Sequence, residues 1–391
     1  MRRGAGSLAA ALLVVAAFFV GFLVTRSASG PPSAAAPLRA DRPVQIVDEV
    51  RATLASSYYR WIAPDVLREE TVDGVLEGLD DPHTDYLTAA EYRALQEKTE
   101  GTYSGIGLTV GPAGDGLIVT SALNGPAREA GIRRGDVIVR VDGERVGRLT
   151  FERSLALIKG ETGTLVRLRV KRRGTKTLDF TVVRQDIDVP PISARMLLVD
   201  RRKVAYVSVF SFPEGAAERI ERATSGLVAE GAKAAIIDLR NNPGGLFSEA
   251  VSTASVYLHD GIVCRTDGVH EEARTYRVTG FATQPELPLV LLVNSGTASA
   301  AEILAGALHD NDRAVLVGER TFGKASVQTI APLRNGAALK LTTAKYVTPA
   351  GADITGRGIE PGIVAVDDPL TRADEALRIA RKALLESLAD A

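Results

Sequence analysis

The chain has 391 residues, of which 45% are hydrophobic and 24% are charged, and its formal net charge is −1. This length and apolar content allow two or three folded domains, each with its own core. The near-neutral charge gives no reason to expect a nucleic acid as partner. The lone cysteine, Cys264, excludes an internal disulfide and a cysteine metal cluster, and its setting in "GIVCRT" predicts a strand core residue rather than a nucleophile.

The amino terminus has the pattern of an export signal. "MRR" precedes an apolar run from Leu8 to Val24, and Arg26 and the loose segment "SASGPPSAAAP" follow it. The run lies between a signal-peptide core and a full membrane span in length, and its flanking arginines favour a body outside the cytoplasmic membrane. We expect an uncleaved single-pass anchor in the cell membrane. The alternative is a signal cleaved near Ser27–Ser29, which would leave a secreted or periplasmic protein.

The chain then changes from helical to strand-like periodicity. "VQIVDEVRATLASSYY" and "DVLREETVDGVLEGL" have apolar residues at three-to-four spacing, which predicts two amphipathic helices that end at the turn "DDPHTDYL". Short strand patterns begin at about Thr99. The basic run "RLRVKRRGTK" alternates Arg167, Arg169 and Lys171 with apolar residues, so we interpret it as a strand with one solvated face.

The stretch "GIGL", Gly105 to Leu108, is a candidate binding site for a peptide carboxylate. Gly105 and Gly107 permit a tight turn around Ile106 whose backbone N–H groups converge, and Leu108 begins a strand to which a peptide can add. Together with "AREAGIRRGDVIVRVDGERV" downstream, it resembles a PDZ domain of the bacterial protease type over roughly residues 96–185. The resemblance implies peptide binding, although PDZ domains also stand alone as adaptors.

From about Ile187 onward, strand-like and helix-like runs alternate, which predicts an α/β layer. The continuous apolar runs "AAIIDL" and "VLLV" predict central strands that are buried on both faces. Function gathers in such sheets where strands end and helices begin. One such junction is "DLRNNPGGLFSEA", in which Gly244 and Gly245 precede a helix and expose backbone N–H groups that suit an oxyanion. The bland interpretation is a glycine turn capped by Asp238.

The second junction is "NSGTASAAEILAGAL", which places Ser299 at the start of a helix among small neighbours. A serine there is usually an N-cap, and the spacing of Ser299 and Glu302 fits a capping box. Thr297 and Ser295 can also serve as caps, which would leave Ser299 free to act as a nucleophile. The residues alone leave both interpretations open.

A nucleophilic serine needs a base, and the sequence favours a lysine. The chain has four histidines, His83, His259, His270 and His309, but no Gly-x-Ser-x-Gly elbow that would favour the common serine–histidine triad. The better candidate is Lys324 in "ERTFGKASVQT", which follows a glycine after the apolar strand "AVLVG". If "KASVQT" is a strand, Lys324, Ser326 and Gln328 share one of its faces.

These motifs, in this order, resemble the carboxyl-terminal processing, or tail-specific, serine peptidases. The resemblance runs from about Val44 to Asp368 and includes "LDDPHTDYL", "VSVFSF", "DLRNNPGG" and "LKLTTAKYVTPAGADITGRGIEPGI". It implies Ser299 as nucleophile, Lys324 as base and Gln328 as its assistant, with the N–H groups of Ala300 and Gly245 as oxyanion donors. Two positions depart from the family pattern. Ala301 replaces a common serine and Ala325 replaces a glycine, and the latter requires an ordinary backbone conformation.

The sequence therefore predicts a multidomain α/β protein. We expect a signal or membrane anchor with its linker over 1–40, a helical region over 41–95, a PDZ β-sandwich or barrel over 96–185, and a crotonase-like peptidase core with a carboxyl-terminal helix over 186–391. The expected function is an exported, membrane-associated serine endopeptidase that binds protein carboxyl termini and cleaves through an acyl-enzyme.

No metal or organic cofactor is implied, and protein or peptide substrates are the expected partners. A homo-oligomer or an activating partner stays open. Two rival functions remain: a PDZ adaptor with a degenerate peptidase core, and acyl-group chemistry in a crotonase-like fold. The retention of Ser299, Lys324 and Gln328 argues against the first, and the PDZ module argues against the second.

Overall fold

The computed structural model describes residues 45–114, 116–149, 151–174, 177–188, 190–280, 282–366 and 374–388. The apolar run for which we predict a membrane anchor, and the weak cleavage motif after it, lie outside these ranges. No helix within them is long and apolar enough to cross a membrane. The residues from Gln45 onward cluster as one unit.

The amino-terminal region is helical, as its periodicity predicts, but it also contributes a strand. Its elements are α1 (Ile46–Ser57), α2 (Val72–Leu79), β1 (Asp85–Leu87) and α3 (Ala89–Glu100). Apolar residues of α1 and α2 form one core cluster with Leu339 and Leu341, which lie far along the chain. Through this packing the region joins the carboxyl-terminal part of the molecule.

The predicted PDZ segment folds as a strongly antiparallel sheet with two helices. Its elements are β2 (Thr102–Gly105), β3 (Leu108–Ala113), β4 (Gly116–Ala122), α4 (Pro126–Glu129), β5 (Val137–Val141), β6 (Glu144–Arg145), α5 (Phe151–Ile158), β7 (Leu165–Lys171), β8 (Leu178–Val183) and β9 (Gln185–Asp188). The sheet order is β3-β4-β5-β7-β8, and β2 and β9 form a separate ribbon. Along β7 exposed and buried residues alternate, so the predicted solvated face of the basic run is confirmed.

The carboxyl-terminal part is an α/β layer followed by further strands. Its elements are β10 (Ile192–Val199), β11 (Arg202–Val209), α6 (Ala216–Ala229), β12 (Ala235–Asp238), α7 (Phe247–Tyr257), β13 (Ile262–Gly268), β14 (Glu271–Arg277), β15 (Leu289–Val293), α8 (Ala300–Asp310), β16 (Val315–Gly318), β17 (Ser326–Pro332), β18 (Ala338–Val347), β19 (Ile363–Val364) and α9 (Glu375–Ser387).

The main sheet has the order β10-β11-β12-β15-β16-β19, and its neighbours from β11 to β19 run parallel. Every residue of β12 and β15 is buried, which confirms the two predicted central strands. Successive residues point to opposite faces: Ile237 packs with the cluster of α6, α7 and α8, whereas Ile236 packs with that of α9. Helices therefore cover both faces of the sheet.

A second sheet has the order β1-β18-β13-β14, with β17 also paired to β18. Cys264 lies in β13 with 1% of its surface exposed, and burial raises the pKa of its thiol to about 12. Both observations confirm Cys264 as a strand core residue. The segment that carries Lys324 leads from the main sheet into β17 of this second sheet.

Candidate active site

The two junctions that the sequence singles out meet at one edge of the main sheet. Strands β12 and β15 are parallel neighbours with Asp238 opposite Leu292, so both chains leave the sheet on the same side. The side chain of Asn294 then links the turns, since its Oδ1 accepts the N–H of Asn241 at 2.8 Å and its Nδ2 donates to Asn241 Oδ1 at 3.0 Å. The glycine turn and the serine loop are thus one site.

Ser299 lies at the N-cap position of α8 with an unusual backbone. Its φ of 57° and ψ of −121° are outside the regions that non-glycine residues prefer. Strain of this kind costs about 1–3 kcal/mol and clusters at functional sites. Thr297, one of the two other candidate caps, donates its hydroxyl to the carbonyl of Leu239 at 2.8 Å instead, and so ties the serine loop to the end of β12.

Glu302 is the residue that joins the serine loop to the lysine segment. It is fully buried, and its Oε2 accepts the N–H of Ser299 at 2.9 Å and that of Lys324 at 2.9 Å. Its Oε1 accepts the hydroxyl of Thr321 at 2.5 Å and the N–H of Gly323 at 2.6 Å. Four donors therefore surround one carboxylate. The only sequence signal for Glu302 is its capping-box spacing from Ser299.

The glycine turn packs directly against the serine. A Cβ on Gly244 would lie 2.8 Å from the Ser299 Cβ and 2.9 Å from the Ala300 nitrogen, so only glycine fits there. The Gly244 N–H is occupied by Asn242 Oδ1 at 2.8 Å. In the described part of the chain, the N–H groups of Gly245 and Ala300 have no protein acceptor. These are the two donors that the resemblance implies for an oxyanion.

Lys324 is half-buried and precedes β17 by two residues. Burial is the main cause that lowers the pKa of its ammonium, and the nearby Lys340 lowers it further, whereas Glu302 and Asp81 act in the opposite direction. The carbonyl of Lys324 accepts the hydroxyl of Tyr346 at 2.7 Å. Among the described residues no hydrogen bond joins the Lys324 ammonium to Ser299, and in unliganded enzymes catalytic hydrogen bonds are often long.

Gln328 lies within β17, where its Nε2 donates to Ser326 Oγ at 2.8 Å. Ser326 and Gln328 are therefore adjacent on one strand, as predicted, whereas Lys324 lies before the strand begins. The pairing of β17 with β18 has a register shift between Val327 and Gln328. Ala325 is buried and does not have a positive φ, which meets the requirement that its alanine imposes.

None of the four histidines hydrogen-bonds Ser299 in the described structure. His309 lies at the far end of α8, and His270 packs edge-on against Trp61 on the surface. His83 is the one that lies within electrostatic reach of Lys324, and burial followed by that charge lowers its imidazole pKa. The arrangement favours lysine over histidine as the partner of Ser299.

The "GIGL" stretch lies outside the main sheet, at the junction of β2 and β3. Gly107 has a φ of 77°, and its carbonyl accepts the N–H of Leu123 at 2.9 Å, while the Ile106 carbonyl accepts that of Ala127 at 3.0 Å. Strand β3 is the terminal strand of its sheet in the described structure. Its outer edge can therefore accept an extended peptide.

Known protein families match both the PDZ segment and the carboxyl-terminal part of the chain. The model of peptidase family S41 matches residues 203–365, and a PDZ domain model matches residues 118–172. The carboxyl-terminal-processing protease of Synechocystis is 39% identical over 78% of this chain and 72% of its own length. The carboxy-terminal processing protease CtpA of Bacillus subtilis is 33% identical over 80% of this chain. This chain covers 66% of the B. subtilis protein, just under two thirds of it.

Solved structures show the same fold. The photosystem II D1 C-terminal processing protease superposes with a TM-score of 0.55 at 30% identity, over 86% of this chain and 96% of that one. A Bacteroides fragilis protein described as an S41 protease has a TM-score of 0.57 at 16% identity, which shows likeness of fold alone. On these matches, the chain belongs to peptidase family S41, with the carboxyl-terminal processing serine peptidases.

Proposed function

We propose that this protein is an endopeptidase that cleaves through Ser299 and Lys324 and selects substrates by their carboxyl termini. The observation that carries the proposal is the Glu302 carboxylate, which accepts the backbone N–H groups of both Ser299 and Lys324. A single buried group thereby fixes a strained serine and a desolvated lysine relative to each other. A binding protein that had lost catalysis would have no use for that strain.

The reaction that fits these groups is acyl transfer. The Ser299 hydroxyl attacks the scissile carbonyl carbon while the neutral amine of Lys324 takes its proton. The negative oxygen of the tetrahedral intermediate accepts the N–H groups of Gly245 and Ala300. The Lys324 ammonium then returns the proton to the leaving amine, and an ester remains on Ser299. Water, deprotonated by the same lysine, hydrolyses the ester and releases the new carboxyl terminus.

The lowered pKa of Lys324 supports its role as the base. A lysine with an ordinary pKa near 10.4 is almost entirely protonated at neutral pH and cannot take a proton from serine. Burial shifts the equilibrium toward the neutral amine. We infer that Gln328 assists by orienting the lysine without adding a charge, after releasing Ser326.

The substrate class follows from the PDZ module. The open edge of β3 beside the "GIGL" turn suits a chain end that is extended and carries a free carboxylate. Membrane attachment through Leu8–Val24 is the remaining part of the proposal. Cell fractionation, with protease added outside the cytoplasmic membrane, tests it, and a soluble product that begins near Gly30 would show a cleaved signal instead.

The test of the chemistry is digestion of an unstructured protein, read by mass spectrometry. Ser299→Ala and Lys324→Ala should each lower the rate by about 10⁴-fold or more, since the two groups act as one unit. Ser295→Ala, which alters an exposed serine in the same loop, should leave the rate unchanged. Circular dichroism would verify that each variant is folded. Full activity in either of the first two variants would contradict the proposal.

A further inference from the structure

The turn at residues 80–84 is far from Ser299 in sequence but reaches the strand opposite Gln328. Asp81 is the residue around which the hydrogen bonds of this turn are arranged. Asp81 Oδ2 accepts three hydroxyl groups: those of Thr84 at 2.7 Å, Thr342 at 2.8 Å and Tyr58 at 3.1 Å. Its Oδ1 accepts the N–H of His83 at 3.0 Å. Four donors compensate the partial burial of this carboxylate, and such a network fixes the turn in one arrangement.

Thr342 connects this turn to the segment from Lys324 to Gln328, which we call the Lys324–Gln328 limb. It is the register partner of Gln328 in the pairing of β17 with β18, next to the register shift in that pairing. Its N–H donates to Thr84 Oγ1 at 3.1 Å, and its carbonyl accepts the N–H of Tyr59 at 3.0 Å. The amino-terminal region therefore holds both the backbone and the hydroxyl of Thr342.

The charges around Lys324 come largely from the same region. The groups that act on its ammonium are Lys340, Glu302, Asp81 and Lys98, and His83 lies within reach of it as well. Lys340 is itself opposite Asp85 of β1, with 3.9 Å between Lys340 Nζ and Asp85 Oδ2. Apart from Glu302, every one of these groups belongs to residues 81–98 or to the part of β18 that pairs with β1.

We propose that the turn at residues 80–84 forms a wall of the catalytic site and that Asp81 is a positioning residue for the Lys324–Gln328 limb, acting through Thr342. This inference rests on the proposed function of Ser299 and Lys324. The wall is made by residues outside the matched peptidase segment 203–365. The amino-terminal helical region thus contributes to catalysis as well as to stability.

The hydrogen bonds of Asp81 determine its charge. Burial acts to raise the pKa of the Asp81 carboxyl, but the hydrogen bonds from Thr84, His83 and Thr342 outweigh it and hold that pKa below its usual value. Asp81 is therefore an anion at neutral pH. Because an anion favours the ammonium form of a neighbouring lysine, removal of its charge makes Lys324 easier to deprotonate.

The test is the pH dependence of cleavage by the full chain. The rate should rise with pH as Lys324 loses its proton. For Asp81→Asn we expect a kcat lower by about tenfold with KM little changed, because the Lys324–Gln328 limb is misplaced. We also expect the acid limb of the profile to move to lower pH. Asp73→Asn is the matched control, since it removes the same charge at an exposed position of α2, outside this turn, and should change neither quantity.

Lys340→Gln provides a second variant in case Asp81→Asn does not fold. It removes a like charge from the surroundings of Lys324, so the acid limb should move in the opposite direction, to higher pH. Asp81→Asn with the kcat and acid limb of the wild type, or a Lys340→Gln profile that does not move, would overturn the inference. If Ser299→Ala cleaved normally, the proposed function itself would fail, which is a distinguishable result.

Discussion

Ser299 is held in a backbone conformation that its own preferences oppose. Three contacts hold it there: Glu302 accepts its N–H, the hydroxyl of Tyr346 donates to its carbonyl at 3.3 Å, and the preceding Ala298 donates to the carbonyl of Asn242 at 2.9 Å. Each contact comes from a different element, so the surrounding fold over-determines the conformation. The strain is consistent with a residue that is positioned for chemistry rather than for helix capping alone.

Glu302 should be the most sensitive residue of this group. Glu302→Gln preserves the volume but replaces one carboxylate oxygen by an amide NH2, which cannot accept the N–H groups or the hydroxyl that now reach it. An unsatisfied buried donor costs about 1–3 kcal/mol, so we expect a loss of about 2 kcal/mol or more in the free energy of unfolding. The kcat of the remaining folded enzyme should also fall, because Ser299 and Lys324 lose their common anchor.

Thermal unfolding together with kcat, measured well below the melting temperature, checks this expectation. Glu360→Gln is the control, because that carboxylate belongs to an exposed ion pair with Arg320 and should contribute little. Wild-type stability and kcat in Glu302→Gln would show that the four hydrogen bonds are not needed.

The sequence indicates the proposed nucleophile and base better than the residues that hold them. Ser299 and Lys324 stand in short local motifs, and the family resemblance assigns their roles. Glu302 reaches partners 19 to 22 residues away, and Asp81 reaches Thr342 at a separation of 261 residues. No local pattern encodes such contacts, because they depend on how the two sheets are placed.

At the scale of elements, the site depends on the parallel pairing of β12 with β15. Both strands are continuous apolar runs, which is why their central place could be predicted from the sequence. The second sheet could not be predicted in the same way, because β1 is only Asp85–Leu87 and lies within a helical region. The register shift between β17 and β18 likewise has no local signal.

Helix α9 is joined to the edge of the site by an ion-pair network. Arg240, just beyond β12, contacts Asp238 with 2.6 Å between Nη2 and Oδ2, and Asp374 with 2.9 Å between Nη1 and Oδ1. Asp374 also caps α9 by accepting the N–H of Leu377 at 2.8 Å. The network therefore connects the end of β12, from which the glycine turn begins, to the start of the last helix.

Two substitutions separate the functions of Asp374. Asp374→Asn preserves a good N-cap but removes the charge, and should cost about 1 kcal/mol or less because the carboxylate is partly exposed. Asp374→Ala removes both and should cost about 1 kcal/mol more. Burial opposes ionisation, but the hydrogen bond from Arg240 leaves the pKa of Asp374 below its usual value.

The sign of the pH dependence follows from that direction. A carboxylate with a depressed folded-state pKa stabilises the protein above its unfolded-state pKa, and this contribution disappears as pH falls through the folded-state value. The stability difference between wild type and Asp374→Asn should therefore be full at neutral pH and vanish in acid. Denaturant unfolding at several pH values measures it, and a difference that stays constant down to acid pH would refute the ion-pair explanation.

At the scale of the whole molecule, the PDZ module is inserted between α3 and the main sheet through the ribbon of β2 and β9. The carboxyl end of helix α5, which shares a core cluster with β3, is tied to both strands of this ribbon. Arg184, next to β9, donates to the carbonyls of Leu157 at 2.8 Å and Ile158 at 3.0 Å. Ser104 of β2 donates to the carbonyl of Gly160 at 2.6 Å.

From the ribbon the contacts continue to the glycine turn that contains Gly244 and Gly245. The carbonyl of Thr99, at the end of α3, accepts the N–H of Glu214 at 2.8 Å. Two residues earlier, Phe212 donates its N–H to the carbonyl of Gly244 at 3.0 Å and accepts the N–H of Leu246 at 2.7 Å. Hydrogen bonds joined by short stretches of chain thus lead from α5 to Gly244 and Leu246, the neighbours of Gly245, although such a path shows coupling only when both ends are perturbed.

A PDZ groove that only holds substrate lowers the substrate concentration needed for cleavage. A groove that also gates the active site changes kcat, provided that the peptide binds the open and closed arrangements of the module with different affinity. We expect gating, because α5 is tied to the ribbon.

A peptide with a free apolar carboxyl terminus, added in trans, should therefore stimulate cleavage of an internal-site substrate, and its amidated twin should not. Arg184→Lys, which loses the planar fork that holds the carbonyls of Leu157, Ile158 and Leu165, should abolish the stimulation, whereas Arg169→Lys in an exposed ion pair on the same module should preserve it. Competition without stimulation would reduce the PDZ module to a tether, and equal cleavage of free and amidated substrates at all concentrations would remove tail recognition while leaving the chemistry of Ser299 and Lys324 intact.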